Sequence, residues 1–174
     1  MWNLILKLNQ YVTTVTAVLA VIMLFLACLV VTEMVYIRYF IGGSTIWETE
    51  FVVFSIVAST LLGSPYVLLT NGHVNVDLLP NALGEKKWML EIFSTLISLI
   101  FVLILAYSSW EYFLETYIEN WHSESAWAPP LWIPLLSLVV GVSGLTIQLL
   151  LNIFSLIRFQ KPIYIEYVEY KEGV

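Results

Sequence analysis

The sequence predicts an all-α integral membrane protein with four transmembrane helices. The 174 residues are 60% hydrophobic and only 11% charged, and the mean hydropathy is +0.87. A soluble domain is nearer to half apolar and a quarter charged. Four apolar runs carry this excess, at residues 12–32, 51–70, 92–110 and 131–157. We expect residues 1–174 to form one four-helix membrane domain, with a cytoplasmic tail at 161–174.

Each apolar run has the length and composition of a membrane-spanning helix. A helix needs ~18–20 residues to cross the ~30 Å of hydrocarbon in a bilayer. All backbone groups must be paired inside the bilayer, and the runs lack the alternating pattern of barrel strands. The first run carries no charge, is longer than the apolar part of a signal peptide and lacks a small-residue cleavage site, so we expect it to be retained. The second run ends before the turn sequence Asn71-Gly72, and the fourth has Pro134 in its first turn.

The basic residues predict that both termini lie in the cytoplasm. Loops on the cytoplasmic side of a membrane protein are enriched in Lys and Arg. Two of the loops together hold one basic residue, Arg38. The remaining basic residues precede helix 1, lie between helices 2 and 3, or follow helix 4: Lys7, Lys86, Lys87, Arg158, Lys161 and Lys171. Helices 1 and 3 are expected to extend beyond the outer face, because no helix-breaking residue follows either run at once.

The side predicted to be outside is strongly acidic. Arg38 is there accompanied by seven glutamates: Glu33, Glu48, Glu50, Glu111, Glu115, Glu119 and Glu124. This surface would suit a basic patch on a protein partner, or it is a solvated rim from which Lys and Arg are excluded. We also expect Arg38 to pack against the Glu111–Glu119 stripe, or against Glu48 or Glu50, because unrelieved like charges repel.

The apolar runs contain no Asp, Glu, Lys, Arg or His. Gln148 is the strongest polar group at membrane depth. Ion-coupled pumps and channels usually need ionisable residues or broken helices there, so this chain is not expected to move a polar solute by itself. Neither nucleic-acid binding nor a cofactor is expected, since basic patches and paired helical histidines are lacking and Cys28 is the only cysteine. His73 and Asp77 are too few for a closed zinc site, and we interpret them as inner-loop structure.

Small residues recur at helical spacing in helices 2 and 4. Such faces allow two backbones to approach closely. They predict either packing within one four-helix bundle or an interface with another subunit. The candidate residues are Ser55, Ser59 and Gly63 in helix 2, and Ser137, Gly141 and Gly144 in helix 4.

Three blocks of sequence resemble the small membrane subunit (DctQ-like) of tripartite ATP-independent periplasmic (TRAP) transporters. The first is Arg38-Tyr-Phe40 followed by Ser44-x-x-Trp47-Glu48-x-Glu50. The second is Gly63, then Gly72-His73-x-x-x-Asp77. The third is Ser123-x-Ser125, then Pro130-x-Trp132 and Gly141. The order of the blocks, the chain length and the number of helices also match.

The resemblance implies a non-catalytic subunit of a secondary transporter in the bacterial inner membrane. A periplasmic substrate-binding protein would capture an organic acid such as sialic acid or a C4-dicarboxylate. A large multi-helix membrane subunit would carry the transport site and couple uptake to sodium or protons. The small subunit would support the large one, with lipid at part of their contact, and help dock the binding protein. In this interpretation the candidates for docking, or for bracing the outer loops, are Arg38, Trp47, Glu48 and Glu50.

Two other functions stay open from the residues alone. One is a stand-alone small transporter that works as an oligomer, which transport by this chain alone in liposomes would establish. The other is a four-helix membrane enzyme or electron-transfer subunit, which a haem absorption band would favour.

Overall fold

Four long helices make up most of the described chain. The computed structural model describes residues 2–70, 87–159 and 162–163. The inner loop with His73 and Asp77, and the tail apart from residues 162–163, lie outside the described residues. The helices are α1 (Trp2–Tyr36), α2 (Glu48–Leu69), α3 (Lys87–Ile118) and α4 (Trp132–Phe159). All four are long and apolar enough to cross a membrane, which confirms the predicted all-helical class and helix number for this part of the chain.

A wider helical turn and a glycine end α1. The five residues Ile37–Ile41 continue α1 as a π-helical turn. The next residue, Gly42, has φ +68°, and its N–H bonds the carbonyl oxygen of Ile37. Glycine adopts this left-handed conformation without the steric cost that a Cβ would bring, so the helix ends here without backbone strain. Residues 42–47 then form the short loop that leads into α2.

Pro65 interrupts the hydrogen bonding of α2, and the neighbouring serine compensates for it. Proline has no N–H, so the carbonyl oxygen of Leu61, four residues earlier, loses its usual partner. The hydroxyl of Ser64 donates to that oxygen at 2.9 Å. Gly141 of α4 lies against the same carbonyl group: a Cβ at Gly141 would be 2.5 Å from the oxygen of Leu61. The absence of a side chain at Gly141 therefore sets how closely α2 and α4 approach.

Buried side chains recur every seventh residue in α1, α3 and α4. A seven-residue repeat keeps one seam of a helix against its neighbour and is typical of helices that cross at a shallow angle of about 20°. Several of the repeat positions hold alanine, serine or threonine, which allow close approach in an apolar environment. The repeats are Leu6, Thr13, Ala20 and Ala27 in α1, Thr95, Val102, Ser109 and Thr116 in α3, and Val142, Leu149 and Leu156 in α4.

The helices are arranged so that α2 and α4 are central and α1 and α3 flank them. α2 packs against both α1 and α4, α3 packs against α4, and α1 touches α4 only narrowly. The apolar parts of α1 and α3 are 11% and 17% buried, whereas those of α2 and α4 are each 28% buried. The core lies where α3 and α4 meet, around Leu99, Val102, Val142 and Leu149. The outer faces of α1 and α3 are therefore left for lipid or for another protein.

Candidate functional site

The two described loops meet at one end of the bundle, here called the loop end. One loop is residues 42–47, between α1 and α2; the other is residues 119–131, between α3 and α4. The hydroxyl of Ser125 donates to Oε2 of Glu50, in the first turn of α2, at 2.5 Å. The rings of Trp47 and Trp127 contact each other edge to face, with centroids 6.2 Å apart. These contacts join the loops into one surface, here called the loop platform (residues 42–47 and 119–131).

Internal hydrogen bonds close the 119–131 loop. Leu131 N–H bonds the carbonyl oxygen of Trp121 at 3.0 Å, and Ser123 N–H bonds that of Pro129 at 3.0 Å. Within this ring, the N–H of Ala128 donates to both the carbonyl and the hydroxyl oxygen of Ser125. Hydrogen bonds within the loop therefore hold Ser125 in the position from which it bonds Glu50. The platform is thus a structured surface.

The glutamates of the loop end divide into an inward and an outward group. Glu48 is 5% exposed, and its Oε2 has no hydrogen-bond partner among the described residues. Glu50 is half-buried. Both lie in the first turn of α2, where the helix dipole favours negative charge. The other five are exposed: Glu33, Glu111, Glu115, Glu119 and Glu124.

Arg38 bonds a neighbouring hydroxyl. Its Nε donates to Oγ1 of Thr45 at 2.7 Å, which fastens the π-helical turn to the following loop. In the part of the chain that the structure describes, Arg38 forms no ion pair with a glutamate, so the contact with the Glu111–Glu119 stripe or with Glu48 or Glu50 is not seen. The side chain is exposed, as is that of Trp47 at 38%.

The three candidate glycines lie at contacts between helices of this chain. Gly63 faces α1, where a Cβ would be 3.7 Å from Cβ of Ala20. Gly141 and Gly144 face α2, at Leu61 and Pro65. Ser55 is buried and Ser59 is half-buried. The hydroxyl of Ser137 donates to the carbonyl oxygen of Pro134 within α4.

Two sets of polar contacts join the helices away from the loop end. Nδ2 of Asn9 in α1 donates to Oε1 of the fully buried Gln148 in α4 at 2.7 Å. Asn152, one turn further along α4, donates through Nδ2 to the hydroxyl of Thr95 in α3 at 3.3 Å and accepts from the N–H of Ile163 at 3.0 Å. Ile163 is 1% exposed. The chain after α4 therefore returns to the bundle and places an apolar side chain inside it.

The polar groups between the helices form hydrogen bonds within this chain. Among the residues described, no three His, Cys, Asp or Glu side chains come close enough to hold a metal ion. These amides and hydroxyls are neutral, and hydrogen bonds join Asn9, Gln148, Thr95 and Asn152 to one another or to the backbone. Such contacts hold helices together in an apolar solvent.

Sequence reasoning missed several of the residues that the structure brings together. Ser125 was part of a motif, but nothing local marks Glu50, 75 residues earlier, as its partner. Thr45, Asn9 and Asn152 were not singled out either. An amide inside an apolar helix was the available signal for Asn152, since an unpaired polar group there is costly.

The fold and the platform define a multi-pass helical membrane protein with a structured surface on one end. No curated protein matches the chain. The family described as tripartite ATP-independent periplasmic transporters, DctQ component, matches residues 26–159. The match covers more than half of the chain, so this protein belongs to that family, the small membrane component of TRAP transporters, and the predicted resemblance is confirmed.

Proposed function

We propose that this chain supports the large membrane subunit of a TRAP transporter and presents the loop platform to a periplasmic substrate-binding protein. The transporter would take up an organic acid, such as sialic acid or a C4-dicarboxylate, coupled to sodium or protons across the bacterial inner membrane. The observation that carries the proposal is the joining of two separate loops into one surface through Ser125–Glu50 and Trp47–Trp127. A support that must hold a partner in register needs such a rigid surface.

We assign the roles of this chain and of the large subunit from the positions of the charged residues in this chain. A subunit that moved an anion and a coupling cation would need charged or broken-helix sites at membrane depth. The charged residues of the apolar helices lie near their ends instead, at Lys7, Glu33, Glu48, Glu50, Lys87, Glu91, Glu111, Glu115 and Arg158. Solute selection and ion coupling are therefore assigned to the large subunit, and non-catalytic support to this chain.

The large subunit is expected to cover part of α1 or α3. These flanking helices carry most of the exposed apolar surface, and each has one principal neighbour within the chain. Tyr39 and Phe40, at the π-helical turn, are 81% and 70% exposed. Gly63, Gly141 and Gly144 are assigned to packing inside this chain, because each meets a neighbouring helix of the chain itself.

The loop end is assigned to the periplasm, with both termini in the cytoplasm. The 35 residues of α1 and the 32 of α3 correspond to about 52 and 48 Å, more than the ~30 Å of hydrocarbon. The parts that follow the apolar runs, residues 33–36 of α1 and 111–118 of α3, would carry the platform above the membrane. The test is a Ser44→Cys variant in a Cys28→Ser background, labelled with a membrane-impermeant thiol reagent on cells with a permeabilised outer membrane. Labelling supports the assignment, and labelling only after lysis of the inner membrane contradicts it.

The docking role is divided between inward and outward residues. Glu48 and Glu50 brace the platform, since they are buried and half-buried. Arg38, Trp47 and the exposed glutamates would meet the partner. A basic patch on the binding protein would be attracted to these glutamates, mainly through a faster association rate.

The docking experiment compares three forms of the complete membrane complex with its binding protein. A variant with Glu115, Glu119 and Glu124 changed to Gln should associate roughly ten-fold more slowly and lose most of its dependence on salt. The same three positions changed to Asp keep the charge and should behave like the wild type. If all three forms associate at the same rate, these glutamates do not attract the binding protein and are simply solvated surface charges.

A further inference from the structure

His122 lies on the exposed side of the loop platform. Ser123 and Ser125 are half-buried and hydrogen-bonded within the platform. His122 and Glu124 are exposed, so the side chains of this stretch alternate between inward and outward. Two residues of extended chain span at most about 7 Å. A charge on the imidazole of His122 would therefore act in the same local field as the carboxylate of Glu124.

One nitrogen of the His122 ring is bonded inside the loop, and the other can take up a proton. Nδ1 lies 2.8 Å from the carbonyl oxygen of Asn120. A carbonyl oxygen can only accept a hydrogen bond, so Nδ1 carries the hydrogen and donates it. Nε2 is then the basic nitrogen of the neutral ring, and it has no hydrogen-bond partner among the described residues. A proton from solution adds to Nε2 without breaking the bond to Asn120.

The backbone on both sides of His122 is held by hydrogen bonds. Trp121 N–H bonds the carbonyl oxygen of Thr116 at 3.1 Å, across Asn120, whose left-handed φ of 54° ends α3. His122 itself forms an isolated β-bridge with Pro130. Because Nδ1 donates to Asn120 in the neutral and in the charged ring, protonation changes the charge of the platform and leaves its shape.

The elements around His122 carry mainly acidic side chains. Arg38 is the only basic side chain on the described parts of the loop end. Its charge is outnumbered by carboxylates on three helices and on the loop itself. They are Glu33 on α1, Glu48 and Glu50 on α2, Glu111, Glu115 and Glu119 on α3, and Glu124 beside His122. A positive charge on His122 would therefore reduce the acidity of this surface.

We propose that protonation of His122 slows the docking of the binding protein on the loop platform. Histidine is the side chain whose charge ordinarily changes between pH 5 and 8. Attraction between the exposed glutamates and a basic patch speeds association, and an added positive charge on the platform opposes it. Docking thereby depends on the pH of the periplasm. This inference rests on the docking role proposed above.

The expected size of the effect follows from the number of charges. Removal of three negative charges from the platform is expected to slow association roughly ten-fold. Protonation of His122 changes the charge by one unit, a third of that change, so the expected effect is the cube root, roughly two-fold. The effect should disappear at about 1 M salt, where charges are screened within ~3 Å.

The experiment measures association of the complete membrane complex with its binding protein at about pH 8 and about pH 5.5. The binding protein titrates as well, so each wild-type rate is divided by that of the His122→Gln variant at the same pH. This ratio should be about 1 at the higher pH and about one half at the lower pH. His122→Lys, which is charged at both pH values, should be about two-fold slower than His122→Gln at both.

The matched control is His73→Gln, at the other histidine of the chain, and it should keep the wild-type pH profile. Association of wild type and His122→Gln in the same ratio at both pH values would overturn this proposal and leave the docking role standing. Absence of association in every form at both pH values would overturn the docking role and this proposal with it.

Discussion

The hydroxyl of Ser125 and the carboxylate of Glu50 are joined by a 2.5 Å hydrogen bond that connects the two loops of the loop end. Replacing Ser125 with Ala removes this bond and the hydroxyl that accepts from Ala128 N–H. A hydrogen bond to a charged group contributes about 1.5–3 kcal/mol. We expect amide hydrogen exchange in residues 119–131 to become faster by at least about ten-fold.

Ser44→Ala is the control for that prediction, because Ser44 is exposed and lies in the partner loop. Its exchange pattern should match that of the wild type. Equal exchange in the Ser125→Ala and Ser44→Ala variants would mean that the two loops hold their shape independently.

Gly141→Ala should destabilise the bundle, whereas Gly63→Ala should not. The new Cβ at Gly141 would lie 2.5 Å from the backbone oxygen of Leu61, so α2 and α4 must separate; overpacking of this kind costs about 1–3 kcal/mol. At Gly63 the nearest atom is the Cβ of Ala20 at 3.7 Å, an ordinary contact. Thermal unfolding in detergent measures both. Equal unfolding temperatures would show that α2 and α4 do not meet at this glycine.

The contact between Asn9 and Gln148 predicts an asymmetric response to mutation. Asn9→Leu leaves the buried amide of Gln148 without a partner, because its Nε2 already has none among the described residues, and costs about 1–3 kcal/mol. Gln148→Leu removes the buried polar group itself and leaves only the half-buried Asn9, so its cost should be smaller. The double variant should be close to Gln148→Leu. Equal loss of stability in both single variants would argue against the contact.

Asn152 should hold the chain after α4 in place through Ile163. Asn152→Leu removes the acceptor of the Ile163 N–H and should speed its hydrogen exchange roughly five- to ten-fold, for a loss of about 1 kcal/mol. Thr95→Val is the matched control, since it removes the other partner of Asn152 and spares the bond to Ile163. The account fails if both variants exchange at the same rate at Ile163.

The sequence predicted the helices well because the bilayer leaves few alternatives. An uncharged run of about 20 residues, such as 12–32, must pair its backbone groups within itself, so helix is the expected outcome. The full extent of α1 was less predictable: it begins at Trp2, within a stretch that is too polar to belong to the apolar run.

The packing seams could not be found from hydrophobicity. Nearly every residue of a membrane helix is apolar, so the apolar pattern does not separate the buried face from the lipid face. The seam of α3 instead passes through Thr95, Ser109 and Thr116. Seven-residue spacing of small and hydroxylated residues was the available signal.

The sequence proposed candidate residues at the loop end but did not predict their contacts. Arg38 was expected to pair with a glutamate by charge alone, but the nearby hydroxyl of Thr45 lies within hydrogen-bond distance. Glu48 and Glu50 were expected either to dock a partner or to brace the outer loops; in the structure Glu48 is buried and Glu50 is half-buried, both in the first turn of α2. These contacts depend on which loops meet in the folded protein. The residues next to each side chain in the sequence do not specify that.

The most direct test of the central claim is to solubilise the tagged chain from its native membranes in a mild detergent and identify what is recovered with it. The account predicts that a large multi-helix membrane protein is recovered with the chain in stoichiometric amount. The Ser44→Ala variant should recover the same protein in the same amount. Recovery of the chain alone, or only as copies of itself, would contradict its role as a supporting subunit.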